Sequence, residues 1–243
     1  SSAASDVYKR QEHGYSRHLY EFKDEYANMP VDVQKDEEKG LYYVQKEKKR
    51  LYFRKSTPAK KIQKYYRALS MEQDRRSPHH YFNSVKEVTG KVFVDVGCAE
   101  GYSSLEIIEE AKHVYLFEQD EQWLEAIRAT FEPWQDKVTI VQKYVSDHNS
   151  SREQTLDDFF NNQTNEHLFL KMDIEGAERH ALAGCNNLFQ NCQKLDFAIC
   201  TYHLRDDEEV ISAFLDKHNC TYINQKGFFR HKIRSVVMRG SKK

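Results

Sequence analysis

The chain has 243 residues, of which 39% are hydrophobic and 31% are charged, a length that allows one α/β domain with a modest extension. Its net charge of −1 gives no overall field that would attract nucleic acid or a membrane surface. No apolar run approaches the roughly 18 residues of a membrane-spanning helix. The five cysteines lack metal-binding and disulfide-framework spacings. We therefore expect reduced thiols, a cytoplasmic protein and no metal site.

The amino-terminal segment divides into two parts. Residues 1–11 include the run SDVYKRQ, which resembles a translated sequencing adaptor, so we exclude them from the fold. If it is one, the natural amino terminus is missing. Residues 12–84 are predicted to be an N-terminal α+β extension, and their first part, to about residue 40, shows no clear pattern.

The rest of the extension has recognisable elements. Residues 41–44 and 51–54 are apolar and flank a charged connection, which predicts a β-hairpin. A helix is expected after Pro58, with an apolar face. Residues 46–64 carry nine Lys or Arg and one Glu; this indicates a solvated basic surface, or attraction of an anionic substrate such as a nucleotide sugar, with nucleic acid a third possibility. Residues 72–82 form either a plain connector or one wall of the active site.

A glycine turn at residues 92–104 organises the remaining chain. The apolar run VFVDV predicts a strand, and helical spacing resumes after Gly101. Gly97 and Gly101 are expected where a side chain would crowd a ligand or forbid the backbone conformation. The dinucleotide fingerprint would also need glycine at the positions of Ala99 and Tyr102. A nicotinamide-dependent oxidoreductase is therefore disfavoured.

The acids of this turn suggest a cationic ligand. A carboxylate at Asp95 or Glu100 suits a ligand with an ammonium group and a sulfonium, and would repel a pyrophosphate. The pattern Asp95-x-Gly97-x-x-x-Gly101 resembles the first motif of Rossmann-like methyltransferases that use S-adenosyl-L-methionine (SAM).

Two later positions extend this cofactor site. Residues 113–118 read as the next buried strand and end in Glu118, where a carboxylate can accept hydrogen bonds from both ribose hydroxyls. A third strand is predicted at 137–141. Val145 and Ser146 follow it, where cofactor folds of this kind usually place the adenine. The alternation of strands and helices predicts a parallel sheet with helices on both faces.

Carboxylates gather at the end of the fourth strand, which begins at residue 167. If this strand continues through Glu175, then Asp173 and Glu175 share one face. Repulsion between close acids raises at least one pKa unless a cation or a donor intervenes, which suits a proton acceptor. Glu178 either joins this group or caps the next helix.

The fifth strand, at 196–203, ends in His203 at the same edge. A histidine there is either structural or a general base, since its ordinary pKa lies near neutrality. A helix with a buried face at Val210, Ile211, Phe214 and Leu215 follows. Residues 221–223 and 234–238 then predict an antiparallel pair, with Lys226 and Gly227 in the connection between them.

Taken together, residues 91–204 resemble the FkbM-type methyltransferases, and the segment EQDRRSPHHYF resembles the region that precedes the fold in bacterial members. The matching features are VFVDVGCAEGYSS, the acid at 118, LKMDIEGAE at 170–178 and TYH at 201–203. The resemblance implies a class I, Rossmann-like α/β fold over residues 85–243, mostly parallel with an antiparallel last strand. It also implies a SAM-dependent O-methyltransferase of sugars, glycans or secondary metabolites. By the same resemblance, Asp95, Gly97, Gly101 and Glu118 would hold SAM, and Asp173, Glu175 and His203 would line the methyl-transfer site.

The expected partner is thus a small-molecule or glycan acceptor, anionic acceptors included, rather than nucleic acid. A non-catalytic SAM-binding or scaffold protein is the main alternative.

Overall fold

The computed structural model describes residues 20–161, 166–229 and 232–242, so the adaptor-like segment lies outside the described residues. In the extension, helix α1 (Lys23–Ala27) precedes strands β1 (Val33–Asp36), β2 (Leu41–Lys46) and β3 (Lys49–Tyr52), which form an antiparallel sheet in the order β1-β2-β3. Helix α2 (Ala59–Glu72) follows directly after Pro58. The predicted hairpin and helix are both present.

The main sheet has seven strands. In chain order its elements, with two small strands beside it, are β4 (Val92–Val96), α3 (Tyr102–Ile107), β5 (His113–Phe117), α4 (Glu121–Phe131), β6 (Val138–Val141), β7 (Tyr144–Val145), β8 (Glu153–Gln154), α5 (Leu156–Phe159), β9 (His167–Met172), α6 (Glu178–Ala183), α7 (Asn186–Asn191), β10 (Lys194–Cys200), α8 (Asp207–Lys217), β11 (Thr221–Phe229) and β12 (Lys232–Lys242).

The strand order is β11-β12-β10-β9-β4-β5-β6, and β12 runs antiparallel to both of its neighbours. The pairs from β10 to β6 are parallel. The predicted fold class is confirmed. In such a sheet the carboxyl ends of β4, β5, β9 and β10 meet at one edge, where ligands bind.

Three predicted details are wrong. Strand β11 continues through Lys226 and Gly227, which pair with Ser235 and Arg234 of β12. The register shift between Gln225 and Lys226 leaves Val236 of β12 as the extra residue of a bulge. Val210 is 37% exposed, outside the buried face of α8. The two strands that lead to the acidic group end earlier than predicted: β9 ends at Met172 and does not reach Glu175, and β10 ends at Cys200 and does not reach His203.

The extension shares a core with the main sheet. One buried cluster joins Leu41, Phe53 and Ile62 of the extension to Phe93 of β4 and Phe131 of α4. The predicted boundary at residue 84 therefore does not coincide with a gap between two cores. Burial of a common apolar surface holds the extension against the site-bearing half.

Part of the basic stretch fastens the extension. Lys46 pairs with Glu106, and the Lys49 ammonium donates to the Leu105 carbonyl at 3.0 Å. The Arg54 guanidinium lies 4.5 Å from the centre of the Trp123 ring. Other cations, at Lys48, Lys55, Lys60 and Lys61, are exposed. Among the residues that the structure describes, no helix is both long enough and apolar enough to cross a membrane.

Candidate active site

The glycine turn leaves β4 and enters α3 with three positive φ angles, at Gly97 (+77°), Ala99 (+47°) and Gly101 (+82°). A Cβ atom at Gly97 would overlap the Asp173 carbonyl, and one at Gly101 would lie 2.7 Å from the Phe131 ring. Both glycines are therefore required by backbone conformation and by close contact with other parts of the protein. The positive φ angles confirm the backbone reason predicted for these glycines, whereas contact with a ligand stays a prediction.

Asp95 lies buried beneath this turn, with 1% of its surface exposed. One carboxylate oxygen accepts from the Lys171 ammonium at 2.7 Å, and the other accepts from the Ser104 hydroxyl at 2.6 Å. Lys171 also donates to the Gly97 carbonyl at 2.8 Å. Burial alone would lower the pKa of Lys171, but the neighbouring Asp95 and Asp173 raise it above its ordinary value. Asp95 thus orders the turn through Lys171, a residue that the sequence analysis missed.

Glu118 connects the ends of β4 and β5. Its carboxylate accepts from the backbone N–H groups of Ala99 (3.1 Å), Gln119 (2.8 Å) and Asp120 (2.9 Å). Burial raises its pKa above the ordinary value, although these three donors oppose the shift. Since a carboxylate offers about four acceptor positions, one is left for a ligand.

Glu100 faces the extension. The residue is 4% exposed, and its carboxylate accepts a hydrogen bond from the Tyr65 hydroxyl of α2 at 2.8 Å. Burial raises the pKa of Glu100 to about 7.

Val145 and Ser146 are buried farther along the same edge, where the Ser146 N–H donates to the Gln154 carbonyl at 3.0 Å. The structure therefore places every residue predicted to bind the cofactor within β4 or β7 or directly after β4, β5 or β7.

The carboxylates after β9 are arranged differently from the prediction. Because β9 ends at Met172 and Glu175 has a φ of +57°, Asp173 and Glu175 do not share a strand face. Both nevertheless face His203. Its Nε2 atom lies 3.5 Å from Asp173 Oδ1 and 3.7 Å from Glu175 Oε2. The three predicted catalytic residues are thus brought together.

Of the two roles that the sequence left open for Glu178, the structure shows the first: it joins the acidic group, and its side chain accepts from the turn before α6 rather than capping the helix. It is fully buried at the start of α6, where its two oxygens accept from the N–H groups of Ile174 and Gly176, each at 2.9 Å. Its Oε1 also lies 2.9 Å from Nδ1 of His203. The side chain therefore holds the turn that carries Glu175 and provides a negative charge beside the imidazole.

These contacts determine the charges in the cluster. Burial opposes the charged form of His203, but Glu178, Asp173 and Glu175 outweigh it and raise its pKa to about 9. Burial likewise opposes ionisation of Asp173, but His203, His79 and Lys171, with the Tyr81 hydroxyl, lower its pKa to about 2. The cation that prevents repulsion among the carboxylates is His203 itself.

The segment 72–82 reaches this cluster and forms one wall of it. The Tyr81 hydroxyl donates to Asp173 Oδ2 at 2.6 Å, and Nε2 of His79 lies 3.9 Å from the same oxygen. His79 is also 3.1 Å from the Tyr202 hydroxyl. The sequence marked the segment but gave no signal for these particular partners, which lie about a hundred residues away along the chain.

In the described part of the chain, two groups of side chains have atoms close enough to hold a metal ion: His79, Asp173 and Cys200, and Asp173, Glu178 and His203. In the second group, His203 itself has a raised pKa and provides a positive charge beside the carboxylates, which opposes the binding of a metal cation. The absence of a metal stays a prediction.

A family model for the methyltransferase FkbM domain matches residues 78–223, more than half of the chain. The chain belongs to the FkbM methyltransferase family. Within this family match lie the glycine turn, Glu118, the acidic cluster and His203. Membership supports SAM as the cofactor.

Solved structures of methyltransferases are similar to this chain. The structure of an FkbM methyltransferase from Methylobacillus flagellatus is 17% identical with a TM-score of 0.51, and the match covers 76% of this chain and 55% of that one. The chain thus spans only about half the length of that relative. Magnesium protoporphyrin IX methyltransferase from Synechocystis with bound SAM is 13% identical (TM-score 0.49; 77% and 86% covered). A tRNA methyltransferase from M. jannaschii is also 13% identical (TM-score 0.49; 84% and 57% covered). No curated protein matches the sequence.

Proposed function

We propose that this FkbM-family chain transfers the methyl group of SAM to a hydroxyl oxygen of a sugar, a glycan or a secondary metabolite. The observation that supports this most directly is the placement of His203. Its side chain is 7% exposed, and its ring nitrogens face three carboxylates at the edge of the sheet that also carries the glycine turn.

The residues around the turn fit a cationic nucleoside cofactor. Glu100 and Glu118 are carboxylates with raised pKa values, mainly because of burial, and a bound positive charge would favour their ionised forms. Glu118 would bind the ribose, and Val145 with Ser146 would contact the adenine. When bound, SAM supplies a methyl group that is already activated by its sulfonium.

The protein must then hold a hydroxyl in line and accept its proton. We assign the proton acceptor to Nε2 of His203, because Nδ1 faces the buried Glu178 whereas Nε2 faces Asp173 and the more exposed Glu175. Asp173, fixed by Tyr81, would orient the ring.

With a pKa of about 9, only about 1% of His203 is neutral at pH 7. His203 would give up its proton more readily once a positive charge binds among the carboxylates that raise its pKa. Turnover should therefore rise with pH between 7 and 9.

The charge of the cluster also bears on the acceptor. Asp173 and Glu175 disfavour an anionic group at the methyl-transfer site, so a neutral hydroxyl-bearing group is the better fit there. An anionic group elsewhere on the acceptor could reach exposed lysines of the extension, such as Lys55 and Lys60.

The test is transfer of a labelled methyl group from SAM to a panel of neutral glycans, nucleotide sugars and tRNA. His203→Ala should reduce turnover about 10²–10⁴-fold with nearly unchanged affinity for S-adenosylhomocysteine (SAH), and His203→Gln serves as the closer match in volume. Unchanged turnover in both variants would remove His203 from the mechanism. Cofactor binding without transfer to any acceptor would favour the non-catalytic alternative, and transfer to tRNA alone would replace the glycan assignment.

A further inference from the structure

We propose that Glu72, the last residue of α2, forms a wall of the cofactor pocket and binds the ammonium group of the cofactor's amino-acid end. The inference rests on the proposed use of SAM, and it gives the N-terminal extension a direct part in the site.

The end of α2 is held over the site by contacts on either side of Glu72. The Ser70 hydroxyl accepts from the Tyr102 hydroxyl of α3 at 3.3 Å. The Gln73 side-chain oxygen accepts from the Tyr81 N–H at 3.2 Å. One helical turn contains both contacts, so Glu72 is placed between the glycine turn and the Tyr81 segment.

Glu72 is half-buried there among other acids. Burial, followed by the charges of Asp173, Glu100 and Glu175, raises its pKa to about 8. The charge of Glu72 in turn helps to raise the pKa values of three tyrosines, Tyr20, Tyr65 and Tyr202.

Within the described parts of the chain, no Lys, Arg or His forms an ion pair with Glu72. His203 is the counter-ion of Asp173 and Glu175, but Glu72 is not among its ion-pair partners in the described residues. Ionised Glu72 is therefore costly in this partly desolvated place unless a further cation joins it. The ammonium of the cofactor supplies that cation. Glu100, whose charge helps to raise the pKa of Glu72, belongs to the glycine turn.

This wall lies outside the part of the chain that defines the family. The family match begins at residue 78, whereas Glu72 and Tyr65, which donates to Glu100, belong to α2. The extension would therefore do more than stabilise the fold, because it would complete the cofactor site from outside the shared domain.

Binding of two cofactor fragments tests the proposal. SAH carries the amino-acid end, and 5′-methylthioadenosine carries the same adenosine and a thioether without it. In the full chain, Glu72→Gln should weaken SAH binding about 10-fold and leave 5′-methylthioadenosine binding unchanged. Glu38→Gln, an exposed acid in the turn between β1 and β2, is the matched control and should change neither affinity.

Equal weakening of both ligands would mean that Glu72 only supports the fold, and unchanged SAH affinity would mean that it does not touch the cofactor; either result overturns the proposal. If the wild type binds SAH and Glu72→Gln shows no selective loss, this inference fails while the proposed function stands. If the selective loss appears but no acceptor is methylated, the catalytic proposal fails and this inference stands.

Discussion

Replacement of Lys171 by Met removes the ammonium group that pairs with the buried Asp95 carboxylate. The Lys171 side chain is 5% exposed and its ammonium lies 2.7 Å from Asp95. In the variant, Asp95 keeps the Ser104 hydroxyl at 2.6 Å but loses its counter-charge. The Gly97 carbonyl also loses a donor.

The magnitude follows from this burial. Breaking a buried ion pair by removing one partner costs about 3–5 kcal/mol, since it leaves an uncompensated charge in a low-dielectric environment. For a chain of this size about 2–4 °C of melting temperature corresponds to each kcal/mol. We expect Lys171→Met to melt about 6–20 °C below the wild type and to bind SAH more weakly, because the turn at Gly97 is no longer fixed.

Urea unfolding followed by circular dichroism measures the loss of stability, and a thermal scan measures the melting temperature. The double variant Asp95→Asn with Lys171→Met should regain at least half of the loss, because it removes the buried charge. Lys86→Met is the matched control. Lys86 pairs with Glu110 at 2.6 Å with 73% of its side chain exposed, so little change is expected. A loss in Lys171→Met no larger than in this control, or a double variant no more stable than Lys171→Met, would refute the reasoning.

Three further predictions concern other parts of the site. Below pH 6.5, His203→Gln should be less stable than the wild type by about 3 kcal/mol. This difference should disappear as the pH rises through about 9, because a histidine with a raised pKa stabilises the fold only while its ring is protonated. A difference in stability that does not depend on pH would contradict the ion-pair account. Gly101→Ala should be destabilised more than Gly40→Ala in thermal scans, since both have positive φ but only Gly101 faces the Phe131 ring; equal losses would mean that this contact is unimportant. Dialysis against EDTA should leave SAH affinity and methyl transfer unchanged, and a loss restored by Mg²⁺ or Zn²⁺ would indicate a metal beside His203.

Local patterns were sufficient to predict most of the sheet, because buried strands and amphipathic helices have different periods. Strand β11 was the exception. Lys226 and Gly227 combine a charge with a glycine, which favours a turn by local rules. In the structure a Cβ at Gly227 would overlap Pro78. The glycine is therefore required by a contact with a segment about 150 residues earlier in the chain, which local patterns cannot show.

The sequence predicted which residues come together at this edge of the sheet, but not the contacts between them. Asp173, Glu175 and His203 follow strands that end at one edge, so the topology alone brings them together. Lys171 interrupts an apolar strand, and its partner Asp95 lies 76 positions away. The charge of His203 was also beyond local reasoning, because its pKa depends on three carboxylates from the segment that follows β9.

Calorimetric titration of the wild-type chain with SAH, with NAD as the control ligand, tests the central claim that this edge of the sheet is a SAM site. The account predicts stoichiometric binding of SAH with micromolar affinity and no heat with NAD. Binding of NAD alone, or of neither ligand, would contradict it.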